Sequence, residues 1–128
     1  MPVFNPGVLY SDSRFKVTVH TYDVATASGN QTLTGAGFTP KAAVIFANIS
    51  ATVTHSIGLT NGTTHSVVLG NGAAGNFNST DGSDICLQPA SGNYALGALT
   101  FNSDGGVIAW TKQASPTGTA NIYVMWFR

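Results

Sequence analysis

The sequence predicts an all-β domain, an antiparallel β-sandwich. Apolar residues recur with a period of two in short runs, the pattern of half-buried strands. Clusters of Gly, Asn, Asp, Ser and Pro separate these runs, as turns separate short strands. No segment carries the 3.6-residue apolar period of an amphipathic helix. At 128 residues the chain fits one domain with room for a substantial core. The expected architecture is jelly-roll-like, with about nine short strands and no significant helix. Residues 1–14 are expected to form an N-terminal arm and residues 15–128 the sandwich.

In residues 1–14, Pro2, Pro6 and Gly7 oppose regular structure. Val3, Phe4, Val8, Leu9 and Tyr10 are nevertheless too apolar for a solvated tail. The segment either lies extended on its own domain or docks on a neighbouring subunit, and the low charge of the chain favours docking. Residues 15–24 alternate cleanly, which predicts a strand with Phe15, Val17 and Val19 inward and Lys16, Thr18, His20 and Tyr22 outward. Residues 31–34 make a short strand. Gly35 and Gly37 follow in a turn where positive φ costs little. Pro40 holds Thr39 extended, so residues 41–49 start as a strand. That strand is apolar on both faces, Val44 and Phe46 on one, Ile45 and Ile49 on the other. It is expected to be central and covered on both sides, with Phe46 in the core.

Residues 56–60 and 65–69 flank Asn61-Gly62, a strong hairpin signal. Residues 70–83, GNGAAGNFNSTDGS, read as a long polar loop whose only large apolar group is Phe77. Phe77 either pins the loop to the core or makes a contact outside the subunit. Residues 84–90 form a strand, and Pro89 assigns it to an edge or marks its end. Residues 94–101 and 106–112 form a hairpin around Asn102-Ser103-Asp104-Gly105. The closing strand, from residue 121, alternates Ile122, Val124 and Trp126 with Tyr123, Met125 and Phe127. Both its faces are apolar, so it is central in a sheet or covered by another chain.

Charged residues make up 8% of the chain, against about 25% in ordinary domains. Arg14, Lys16, Lys41, Lys112 and Arg128 form no basic stripe, which argues against nucleic-acid binding. Formal neutrality gives little colloidal repulsion and suits a subunit held in an assembly. Cys86 stands alone, so no intramolecular disulfide can form, and it reads as a small buried residue. No secretory signal or membrane-span pattern is present, so synthesis in a cytoplasm and no membrane partner are expected.

Catalytic and ligand motifs are weak. Gly70-Asn71-Gly72-Ala73-Ala74-Gly75 matches G-x-G-x-x-G, but no helix-forming sequence follows to hold a pyrophosphate. His20, His55 and His65 lack the paired spacing of a zinc site. Asp81-Gly82-Ser83-Asp84 reads as an Asx turn rather than a calcium loop. No Asp lies within an apolar run and there is no G-x-S-x-G elbow, so neither catalysis nor a cofactor is expected. The Asn-x-Ser/Thr matches at Asn30, Asn48, Asn61 and Asn78 are read as accidental in so Asn- and Thr-rich a chain.

The run Thr34-Gly35-Ala36-Gly37-Phe38-Thr39-Pro40-Lys41-Ala42 follows a Gly/Ser/Asn-rich approach, Ala27-Ser28-Gly29-Asn30. With the Phe15-Lys16-Val17 opening and the aromatic end of the chain, it resembles small β-sandwich structural proteins of tailed-phage virions, which carry a TGxGFxPKA phrase. The resemblance implies a head decoration or cement protein on the capsid exterior. Such a protein stabilises the shell by binding several major capsid subunits, and a homotrimer is expected. Val3, Phe4, Leu9 and Tyr10 of the arm, with Phe77 and Trp126, are the expected interface anchors. The alternative is a tail-fibre or baseplate module that binds host-surface glycan through residues 70–83 and neighbouring aromatics.

Overall fold

The computed structural model describes the backbone of residues 14–71 and 76–128, and their side chains except over residues 71–81. Ten strands are present among the described residues: β1 (Phe15–Asp23), β2 (Gly29–Leu33), β3 (Ala42–Ile49), β4 (Thr54–Thr60), β5 (His65–Asn71), β6 (Asn76–Asp81), β7 (Ile85–Ala90), β8 (Asn93–Asn102), β9 (Gly105–Gln113) and β10 (Thr119–Phe127). One sheet has six strands in the order β1-β10-β3-β4-β5-β6, and the other has four in the order β2-β9-β8-β7. The two antiparallel sheets pack face to face as the expected β-sandwich. Consecutive strands β3 to β6 and β7 to β9 are neighbours, so the connectivity is built from meanders and the jelly-roll comparison does not extend to strand order. The expected arm, with Val3, Phe4, Leu9 and Tyr10, lies outside the described residues.

The tenth strand, β6, runs through the stretch expected to be a polar loop. Its backbone pairs with β5, Val68 opposite Ser79 and Gly70 opposite Phe77. A strand ladder is made by main-chain groups, and an edge position needs no apolar side chains to fill it. The side chain of Phe77 lies outside the described residues.

The core sits between the sheets. β3 contributes Ala43, Ile45, Ala47 and Ile49, and β10 contributes Ala120, Ile122, Val124 and Trp126. The smaller sheet faces them with Leu33, Ile85, Leu87, Leu99, Ile108 and Trp110. Alternate residues of each strand thus interdigitate across the sandwich, as in sheet-on-sheet packing generally. β7 is an edge strand with a register shift between Leu87 and Ala90, where Pro89 cannot donate to the ladder.

The TGAGFTPKA run is a structural clasp. Gly35 and Gly37 have φ of 98° and 78°. Their N–H groups donate to the carboxylate of Asp104 at 3.2 and 2.7 Å. The N–H of Ala36 donates to the Asp104 carbonyl at 3.1 Å, and that of Lys41 to the Phe127 carbonyl at 2.8 Å. The link between β2 and β3 is therefore tied to the β8–β9 turn and to the end of β10. These amide donors hold the Asp104 carboxyl below the usual carboxylate range, with Gly37 the larger contributor.

Candidate interaction surface

The sequence predicts Phe15, Val17 and Val19 inward, but the structure turns β1 over. All three are exposed, Val19 at 58%, while Thr18, His20 and Tyr22 face the sandwich. Polar atoms on the inward face find partners. Thr18 Oγ1 accepts from Trp126 Nε1 at 2.8 Å and contacts His20 Nε2 at 2.8 Å. The Tyr22 ring stacks on Trp110 at 4.1 Å between centroids. Burial lowers the pKa of His20 and, with a smaller contribution from Asp23, raises that of Tyr22.

Phe46 is also corrected: it is 38% exposed and points outward from β3. Trp126, expected as an interface anchor, is fully buried in the subunit's own core. It packs edge-on to Phe101 at 6.3 Å and cannot meet a partner without unfolding β10. For both residues the sequence shows two apolar faces on one strand, and only the second sheet decides which face is inside.

The outward face of the six-stranded sheet follows from the register. Val19, Tyr123, Phe46, Ile57 and Val68 stand side by side in one row across β1, β10, β3, β4 and β5. The next row is Val17, Met125, Val44, Leu59 and Ser66, and a third begins with Phe15, Phe127 and Ala42. These rows carry no charged side chain. Thirteen outward positions, on strands spaced ~4.8 Å apart and ~6.8 Å apart along each strand, give a projected area of about 420 Å². A contiguous apolar patch of this size is often a functional surface.

Phe46 and Tyr123 form an aromatic pair, ring centroids 6.1 Å apart. Beside them is an apolar hollow of about 380 Å³, lined in part by Ala42, Val44, Leu59 and Phe127. At the opposite, polar margin lies an open recess of about 430 Å³ beside Phe46, Asn48, His55 and Asn121. There Asn121 Nδ2 donates to Asn48 Oδ1 at 3.2 Å and to Ser50 Oγ at 2.8 Å. Ala51, in the turn lining this recess, has φ of 61°, a conformation a non-glycine residue adopts at a cost.

A second polar site lies inside the sandwich. Asp84 is fully buried, where the sequence suggests an Asx turn. Its Oδ2 accepts from the Leu99 N–H at 2.7 Å and lies 2.8 Å from His65 Nδ1, and its Oδ1 has no partner. Burial pushes its pKa up, against the opposing effects of Leu99 and His65. Thr60 Oγ1 approaches the same His65 nitrogen at 3.1 Å. A nucleophile–base–acid relay needs its two partners on opposite ring nitrogens, so the Thr60–His65–Asp84 grouping serves as a joint between β4, β5 and the strands of the smaller sheet. Among the described residues no group of three His, Cys, Asp or Glu side chains converges to hold a metal ion.

No protein-family model matches the chain, and no curated protein or solved structure does.

Proposed function

We propose that this protein is a virion structural protein of a tailed phage, most specifically a capsid decoration protein that stabilises the head shell by binding several major capsid subunits. The observation that carries the reading is the uncharged apolar face of the six-stranded sheet. Its exposure suits a subunit whose working state is an assembly. The low charge of the whole chain agrees with this, and the TGAGFTPKA resemblance supplies the virion context. Mechanically, such a protein cross-links: each unit touches more than one shell subunit, so modest contacts combine and resist internal pressure. No catalytic role is proposed.

The test is binding to phage heads stripped of their decoration. The protein should co-sediment saturably with such heads and raise the temperature at which they release DNA. Heads that neither bind it nor gain heat resistance would refute the reading. The polar recess supports a second reading, a fibre or baseplate module for neutral glycan, because fixed amide groups there adjoin an exposed aromatic ring. Saturable binding to a glycan surface, lost in Asn121→Ala, would favour that reading instead.

A further inference from the structure

We infer that the strand ends carrying Arg14, Lys16, Lys41 and Arg128 form a docking surface for an acidic patch on a protein partner. These residues are scattered in the sequence, and the sheet gathers them. Phe15, Phe127 and Ala42 are register neighbours across β1, β10 and β3. The ladder runs one residue further: the Arg128 N–H donates to the Arg14 carbonyl at 2.9 Å, and the Lys41 N–H to the Phe127 carbonyl at 2.8 Å. Arg14, Arg128 and Lys41 therefore stand side by side, about 10 Å from first to last. Alternation puts Lys16 on the same side as Arg14, about 6.8 Å further along β1. All four are exposed. Phe15, Phe127 and Ala42 point the other way, so the cluster is separate from the apolar outer face.

Four of the chain's five Lys and Arg residues thus share one end of the sandwich. Like charges on adjacent strands repel, and among the described residues no carboxylate pairs with Arg14, Lys16 or Lys41. Asp104 lies at this end, but its carboxylate oxygens already accept from the Gly35 and Gly37 N–H groups. Asp84 is buried against His65. Asp23 closes β1 at the far end, where Lys112 Nζ donates to the Ala25 carbonyl. Asp12 and the side chain of Asp81 lie outside the described residues. Setting Asp104 and a terminal carboxylate on Arg128 against the four cations still leaves an excess of two positive charges. The cluster is also held in place. The Arg128 guanidinium stands 5.9 Å from the centre of the Phe38 ring, and Lys41 is tied by its backbone to β10.

A compact cluster of this kind suits carboxylates converging from one acidic patch, because complementary charge steers the encounter and fixes its orientation. Nucleic acid carries a repeating charge and is followed by a longer basic stripe, which these four cations do not make. Identifying the partner as a shell subunit rests on the virion reading; the affinity of the cluster for acidic protein does not.

Titration of the full chain against fluorescent polyglutamate and against single-stranded DNA, read by anisotropy over a salt series, tests the surface. The wild type should bind polyglutamate more tightly than DNA, with affinity falling steeply as salt screens the charges. Lys16→Glu and Lys41→Glu should each weaken that binding by about tenfold or more at low salt, with an unchanged circular dichroism spectrum. Lys112→Glu makes the same change in net charge at the opposite end and should bind as the wild type does. No polyglutamate binding by the wild type, tighter binding to DNA, or equal losses at Lys41 and Lys112 would each overturn the proposal. The wild-type preference between the two polymers is read even if a variant fails to fold. Stripped heads separate this inference from the virion reading. A chain that binds polyglutamate through Lys41 but ignores heads would sink the virion reading alone. Head binding indifferent to both salt and Lys41→Glu would sink the acidic contact alone.

Discussion

Gly58→Ala should unfasten the sandwich. Gly58 lies on β4, opposite Ile45 and Val67, with its missing side chain aimed inward. A Cβ there would stand 1.7 Å from the backbone carbonyl oxygen of Asp84 and 2.6 Å from its carbon. Ordinary contact begins near 3.4 Å, so the start of β7 must retreat by more than 1 Å. It is poorly placed to do so: the Asp84 N–H donates to the Gly97 carbonyl at 2.7 Å, and its carboxylate is held by Leu99 and His65. Overpacking of this kind costs about 1–3 kcal/mol. Loosening a buried hydrogen bond to a charged group adds about 1.5–3 kcal/mol. Relief of glycine's entropy returns about 0.5–1 kcal/mol. The net expectation is a loss of about 3–4 kcal/mol, a drop in Tm on the order of 10 °C. Urea titration and thermal melts followed by circular dichroism measure it. Gly29→Ala is the control, because the nearest atom to its added Cβ is 3.9 Å away and its φ is ordinary. A Gly58→Ala protein that melts with the wild type would refute the close crossing of β4 and β7.

Trp126→Ala should cost at least about 3–5 kcal/mol, as for a buried aromatic, whereas half-exposed Phe46→Ala should cost only about 1–2 kcal/mol in the dilute monomer; equal losses by urea titration would contradict the assigned faces. Asp104→Ala should lower Tm at neutral pH. Because the folded-state pKa of Asp104 is depressed, its contribution is present above the ordinary carboxylate pKa and fades as pH falls through the lowered value. The gap in Tm between wild type and variant should therefore close in acid, and a gap independent of pH would dismiss the clasp. Gly37→Val places a β-branched residue at φ of 78° and should destabilise by more than about 1 kcal/mol; an unchanged melt would remove that turn. Cys86 is buried and its pKa is pushed up to about 11, so a thiol reagent at pH 8 should label it only as urea unfolds the protein, and prompt labelling of the native chain would show the site open.

The sequence alone determined the strand-forming segments and most of the turns. Period-two alternation located β1 and β3 to β5, Asn61-Gly62 located the β4–β5 turn, and Pro89 marked β7 as an edge strand or its end, because these signals act over a few residues through local backbone geometry. The edge strand β6 escaped, since its ladder is made by backbone pairing that composition does not report. The facing of strands was not legible either. Phe15, Val17 and Val19 match a core face as well as an interface face, and only the position of the second sheet put Thr18 and Tyr22 inside. Likewise nothing near Asp84 in sequence announces burial. Its partners, His65 and Leu99, arrive from other strands. The tertiary structure decided the apolar outer face because exposure is a relation between sheets, and a period of two records that a strand has two faces without recording which one meets water.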